Sequence, residues 1–206
     1  MTRPLERQRK TKNPCPVCRL HPERCLCAFI PRLELRTRLA LVIHVRELKR
    51  TTNTGRLALQ ALPNSQMIVR GEAGEKLDLS PLLLPEYESY VLFPSEDAVD
   101  IEDLRPQKPV QLIVSDGNWR QASKINTRHP EIAHLPRVKI SAENTARHHL
   151  RKEHFAEGLA TLEAIALAFR ILEGDAVGDS LAALYERKLT ATLQGRGVIP
   201  SASETE

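Results

Sequence analysis

Leu39-Ala40-Leu41-Val42-Ile43-His44-Val45 is apolar except for one histidine and is bounded by Arg38 and Arg46. Without polar alternation, such a run predicts a strand covered on both faces, as in the parallel sheets of α/β proteins. Further strands are expected at Gln66 to Arg70, Tyr90 to Phe93, Val110 to Ser115 and Arg137 to Ile140, with the Val110 strand central. Apolar residues at three- and four-residue spacing predict helices over Thr161 to Glu173 and Asp179 to Leu193. Shorter helices are expected over Leu57 to Leu62 and from Asp116-Gln121 to about Thr127. Pro63 and Pro81 punctuate loops, Gly195 to Glu206 reads as a loose tail, and no internal repeat is evident. The chain's 206 residues suffice for one well-buried α/β core with a small appendage, whereas two full domains would be tight.

Charge changes the picture because it is uneven. Residues 1–56 carry 14 Lys and Arg against 4 Asp and Glu, whereas the whole chain is only +4. Arg3, Arg7, Arg9, Lys10 and Lys12 read as a flexible basic arm, and Arg19, Arg24, Arg32, Arg36 and Arg38 lie in or just after the cysteine segment. Such a field attracts polyanions, RNA or DNA foremost, with salt-dependent binding; the plainer reading is a solvated surface. No run approaches the roughly 20 apolar residues that span a bilayer. The basic first dozen residues lead into cysteines rather than the apolar core of a signal peptide. The expectation is a soluble, cytoplasmic protein with no membrane association.

All four cysteines lie in Cys15-Pro16-Val17-Cys18 and Cys25-Leu26-Cys27. Two close thiolate pairs flanking one turn suit a structural tetrahedral zinc site with no open position. Adjacent pairs this close strain disulfide geometry, although disulfides, a redox centre and free thiols remain alternatives. His21, inside the loop, is a possible substitute ligand. Zinc would stabilise a knuckle too short for its own core and present its arginines rigidly.

Three polar loops follow strands: Thr51 to Arg56, Ser95 to Asp97, and Asp116-Gly117-Asn118-Trp119-Arg120-Gln121. Thr161-Leu162-Glu163 opens a late helix. Ligands in open α/β sheets sit beyond the carboxyl ends of the strands, and converging loops of this kind suit a nucleotide-like cofactor. The alternative is unrelated turns, with Asp116 or Thr161 capping a helix and Trp119 filling the core. Neither a GxGxxG fingerprint nor a P-loop is present, which disfavours a dinucleotide enzyme or an NTPase. His44 reads first as a satisfied polar group and second as a helper at the site. His148-His149, between Arg147 and Arg151, reads as basic loop surface able to touch RNA phosphate.

In order and number these pieces resemble the DTW-domain family of tRNA-uridine aminocarboxypropyltransferases. The resemblance rests on Cys15-x-x-Cys18 with Cys25-x-Cys27, the strand ending in His44, Thr54-Gly55-Arg56, Leu92-Phe93-Pro94-Ser95-Glu96-Asp97-Ala98, Asp116-Gly117-Asn118-Trp119-Arg120-Gln121-Ala122 and Leu159-Ala160-Thr161-Leu162-Glu163-Ala164. The chain departs from the signature at Asn118, where threonine is usual, and at Ala160, where serine is frequent. The resemblance implies a SPOUT-like α/β fold with a knotted cofactor pocket. It divides the chain into a basic arm (1–12), a zinc knuckle (13–36), a catalytic domain (37–194) and a tail (195–206).

The resemblance also implies a reaction: transfer of the 3-amino-3-carboxypropyl group of S-adenosylmethionine to N3 of a tRNA uridine, with release of methylthioadenosine. Asp116 would take or orient the N3 proton, and Trp119 would stack on adenine or the target base. His44, Thr54, Gly55, Arg56, Pro94, Ser95, Glu96, Asp97, Gly117, Asn118, Thr161 and Glu163, with Asp116 and Trp119, would line the cofactor site. Cys15, Cys18, Cys25 and Cys27 would bind zinc. Rival readings are an RNA methyltransferase of the same fold and a non-catalytic zinc-ribbon RNA-binding module.

Overall fold

β1 (Arg38–His44) buries its five inner residues completely, because helices or loops cover both sides of the sheet to which it belongs. The computed structural model describes residues 13–74, 76–117, 119–141 and 159–199, with the backbone alone at 119–121 and 126–127. Among the described residues six strands, β1, β2 (Ser65–Arg70), β3 (Glu88–Leu92), β4 (Val99–Asp100), β5 (Val110–Asp116) and β6 (Arg137–Lys139), form one sheet in the order β2-β1-β5-β3-β6-β4. Every pairing is parallel. The α/β expectation and the central position of the Val110 strand are therefore met.

Side-chain parity divides the core in two. Leu39, Leu41 and Ile43 of β1, with Leu112 and Val114 of β5, pack under α1 (Gly55–Ala61), α4 (Thr161–Glu173) and α5 (Asp175–Gly195). Ala40, Val42 and Ile113 face the other way, toward Ile125 of α2 (Trp119–Arg128) and Ile132 of α3 (Pro130–Ala133). The alternation is the period of two of an extended chain, and coverage of both faces removes the polar positions that a half-exposed strand would carry. Cys18, Leu20 and Leu26 of the cysteine segment join the first cluster. The cysteine segment thus shares the core that packs against the sheet.

Topology locates the site. From β1 the chain passes through α1 on one face to β2; from β5 it passes through α2 and α3 on the opposite face toward β6, on the other side of the sheet. Opposite directions on opposite faces give both crossovers the same hand, as parallel units require. The chain thus diverges at the carboxyl ends of the neighbours β1 and β5. That is the switch point at which open sheets hold their ligands.

Several boundaries differ from the sequence expectation. Asp116 is the last residue of β5 and not the start of a helix; α2 begins at Trp119. α5 begins at Asp175, four residues earlier than its apolar spacing indicates, because Asp175 and Asp179 both accept from Arg170, at 3.2 Å and 2.5 Å. The two-residue β4 and four-residue α3 are too short to show a period.

Candidate functional site

Thr51-Thr52-Asn53-Thr54-Gly55 places several side chains that can cap a helix just before α1, and Asn53 takes that role. Its Oδ1 accepts the N–H of Arg56 at 3.2 Å. That leaves Nδ2 to point into the sheet edge, where it donates to Oδ2 of Asp116. The other carboxylate oxygen accepts from the hydroxyl of Thr161, the first residue of α4, at 2.6 Å. Asp116, only 5% exposed, therefore ties the ends of β5, α1 and α4 together.

Thr54 completes the tie. Ala160, the N-cap of α4, has no side-chain acceptor to offer, and the hydroxyl of Thr54 accepts from Leu162 N at 3.2 Å instead. The carboxylate of Glu163 accepts from Ala160 N at 3.1 Å, which supplies half of a capping box. A hydroxyl from the start of α1 thus replaces the local cap that serine at position 160 would provide. Gly55 is buried among the same groups. A Cβ there would stand 3.2 Å from Leu41 Cδ2 and Thr161 Cγ2, and 3.3 Å from Asp116 Cγ. Glycine is what lets the backbone of α1 approach so closely.

Other expected residues lie farther from this group. Arg56 donates from Nη1 to the carbonyl of Leu48 at 2.9 Å. Pro94 to Asp97 follow β3, the next strand over from β5, but Asp97 is exposed and accepts from Arg137 at 2.7 Å. His44 accepts the N–H of Arg46 at Nδ1, 3.1 Å away. Burial first, then Arg70 and Arg46, hold its pKa below the ordinary value, and Glu47 opposes them. Gly117 connects β5 to α2. Asn118, the Trp119 side chain and His148-His149 lie outside the described residues.

Asn53 and Glu47 are functional candidates that sequence reasoning left out. Asn53 stood in view as a possible cap, yet nothing local announced its long-range partner. Glu47 is 6% exposed and meets Arg50 Nε at 3.2 Å.

In the cysteine segment, the four cysteine sulfurs converge within 4.8 Å of one another. Cys15 and Cys27 are separated by 3.5 Å and Cys18 and Cys25 by 3.8 Å. A disulfide needs about 2.05 Å, whereas a tetrahedron of Zn–S bonds of ~2.3 Å places its sulfurs about 3.8 Å apart. The cluster can therefore hold a metal ion. His21 is not part of this converging group, and its Nδ1 accepts from Glu23 N at 3.4 Å.

Burial acts to raise the pKa of Cys15, but the amides of Cys18 and Val17 and the neighbouring thiols bring it down to about 6. Burial followed by Cys25 and Cys15 pushes Cys27 up to about 12. Beneath the cluster, Lys188 of α5 is completely buried and donates to the carbonyl of Cys18 at 2.6 Å. Burial lowers its pKa to about 8, against the pull of Cys18, Cys15 and Cys27. Among the described residues, no helix is long and apolar enough to cross a membrane.

With this geometry established, comparison with known proteins adds a family. A DTW-domain model matches residues 12–193. The chain is 26% identical over 172 residues to tRNA-uridine aminocarboxypropyltransferase 2 of Macaca fascicularis, covering 80% of this chain and 58% of that one. It is 27% identical over 168 residues to the protein of the same name from Mus musculus, covering 77% and 56% respectively. The chain thus spans a little over half the length of these curated relatives. No solved structure matches. Spanning nearly all of the knuckle and sheet described above, the match establishes that this chain belongs to the DTW-domain family.

Proposed function

We propose that the protein transfers the 3-amino-3-carboxypropyl group of S-adenosylmethionine to N3 of a uridine in tRNA, releasing methylthioadenosine. The observation that carries this reading is the convergence of β1, α1, α4 and β5 on Asp116 at the sheet's switch point. The family match and the relatives' names supply the class of reaction. The basic N-terminal quarter suits a polyanionic substrate. We extend the SPOUT-like, knotted description to this fold as part of the same proposal.

S-adenosylmethionine brings an activated sulfonium leaving group, so the protein's main task is to hold a side-chain carbon in line with N3. Thr54, Gly55, Asp116, Gly117 and Thr161 would form the floor of its site, with Arg56, His44, Asn118, Glu163 and Pro94 to Asp97 at the margins. Two roles are open to Asp116. The engagement of both oxygens by Asn53 and Thr161 supports the one in which it orders the pocket and orients substrate. Trp119, at the start of α2, would stack on adenine or on the flipped-out base. The target uridine lies in a single-stranded loop, since N3 in a base pair is not accessible.

The four cysteines would hold Zn2+ as a structural ion, with their spacing as the support. The knuckle arginines and the basic arm would grip tRNA. A soluble cytoplasmic location accompanies this substrate.

Nucleoside mass analysis of unmodified tRNA after incubation with protein and S-adenosylmethionine tests the proposal. Aminocarboxypropyl-uridine together with methylthioadenosine is expected. Methylated base with S-adenosylhomocysteine, or binding of tRNA without turnover, contradicts it.

A further inference from the structure

β2 ends on Arg70, which lies beside His44 in the sheet register, and its carbonyl accepts from Val45 N at 2.9 Å. Its backbone is therefore fixed at the carboxyl edge, one strand beyond β1 and two beyond β5. The guanidinium is a different matter. Nε and Nη2 are both buried, and neither has a hydrogen-bond partner among the described residues. Buried donors without acceptors are costly, and guanidinium donors especially so. A residue that served only to cover the sheet edge would do better with an aliphatic side chain.

Those two nitrogens share one edge of the guanidinium. Their N–H bonds point in parallel, and this is the fork that grips a carboxylate through two N–H···O bonds. Other arginines around the sheet are already engaged. Arg56 donates to Leu48, Arg137 to Asp97, and Arg38 to Gln66 and Gln111. In the knuckle, Arg19 has one buried unmatched nitrogen, Nε, and so no such pair.

Burial lowers the pKa of Arg70, while the charges of Asp116 and Glu47 oppose that shift. Both carboxylates lie near enough to favour the cation, yet they bond elsewhere, Asp116 to Asn53 and Thr161, and Glu47 to Arg50. Adjacent strands are about 4.8 Å apart, so the backbones of Arg70 and Asp116 are on the order of 10 Å apart across β1. The long side chain of Arg70 brings its fork within the same ligand's reach.

We propose that Arg70 binds the α-carboxylate of the donor's amino-acid chain through this Nε/Nη2 fork, and thereby selects donors that carry the carboxylate. The inference rests on the S-adenosylmethionine reading above and adds the residue that recognises the end of the transferred group. A buried planar fork favours a small planar anion over a phosphate of the RNA backbone, which approaches with its solvent shell.

Calorimetry without tRNA separates the two levels. The probes are S-adenosylmethionine, its decarboxylated analogue and methylthioadenosine, titrated into the zinc-loaded wild type, Arg70→Met and Arg70→Lys. The expected result is that wild type prefers S-adenosylmethionine to the decarboxylated compound. Arg70→Met should lose about 10- to 100-fold in affinity for S-adenosylmethionine and most of that preference, and Arg70→Lys should recover only part of either. Methylthioadenosine, which lacks the amino-acid chain, should bind all three proteins equally and so report that the pocket is folded.

If wild type binds methylthioadenosine and S-adenosylmethionine but Arg70→Met keeps both affinity and preference, the Arg70 assignment is overturned and the donor reading stands. Unchanged donor binding, together with weaker and less salt-dependent binding of Arg70→Met to tRNA in a separate titration, overturns it in favour of a phosphate contact. If wild type binds none of the three compounds, the donor reading fails and the inference with it.

Discussion

Replacing Asp116 tests whether one buried carboxylate organises the site. In Asp116→Asn the amide oxygen can still accept from Nδ2 of Asn53. The new NH2 group then faces Thr161, whose hydroxyl can rotate to accept. Both hydrogen bonds survive as neutral ones, at about 0.5–1.5 kcal/mol each where a charged acceptor contributes about 1.5–3. The expected loss is about 1–3 kcal/mol. Asp116→Ala removes both acceptors and leaves the buried Asn53 donor and the Thr161 hydroxyl unmatched, at about 1–3 kcal/mol each. Its cost should be about 3–5 kcal/mol, a large fraction of a typical stability of about 5–15.

Urea unfolding measures both variants. With a slope of about 2 kcal/mol per molar, Asp116→Ala should lower the midpoint by about 1.5–2.5 M, and Asp116→Asn by about 0.5–1.5 M. The reasoning is refuted if alanine shifts the midpoint by less than about 0.3 M, or if asparagine costs as much as alanine. In the proposed role, in which the carboxylate positions groups and does not itself accept the proton, Asp116→Asn should lower kcat without changing the shape of the pH–rate profile. Loss of one limb of the profile would identify it as the base instead.

Gly55→Ala should lose about 1–3 kcal/mol in the same assay, because the Leu41, Thr161 and Asp116 atoms at 3.2–3.3 Å from its Cβ are held by burial and hydrogen bonds; a gain in stability would show that the pocket floor can relax. Lys188→Met leaves the Cys18 carbonyl without its buried donor and removes the buried positive charge beneath the thiolate cluster. It should weaken zinc retention against a chelator by about tenfold, equivalent to about 1.4 kcal/mol, and equal retention would remove Lys188 from the account. Zinc retention should also weaken as pH falls, since binding displaces protons from thiols such as Cys27, held up at about 12 in the absence of metal; retention that does not vary with pH would argue against thiolate ligation. Deleting residues 1–12, with their five Lys and Arg, should flatten the dependence of log affinity for tRNA on log salt by roughly 0.7–0.9 for each phosphate that the arm neutralises, and an unchanged slope would detach the arm from RNA binding.

Much of this architecture was legible because the sheet is covered on both sides. The unbroken apolar runs at residues 39–43 of β1 and 112–114 of β5 follow directly from that burial, as does the regular spacing of α4, whose predicted range coincides with the observed one. The cysteine cluster was legible because its four thiols are close in sequence. What sequence could not supply were interactions between distant segments. Asn53 looks like a local cap until its second hydrogen bond reaches across 63 positions. Thr54 substitutes for the cap missing at Ala160 from 108 positions away from Leu162. Arg70 ends an ordinary strand, and only the burial of its unmatched nitrogens makes it distinctive. Lys188 reads as a solvated helix residue until α5 is seen to run under the knuckle.

The central claim is that the carbon chain of the donor, and not its methyl group, reaches uridine. Two parallel reactions on unmodified tRNA decide it, one with S-adenosylmethionine carrying heavy carbon in the aminocarboxypropyl chain and one with heavy carbon in the methyl group. The account predicts that a modified uridine gains the label from the chain alone, with labelled methyl recovered in methylthioadenosine. Methyl label in the nucleoside, with the chain label left in S-adenosylhomocysteine, would contradict it.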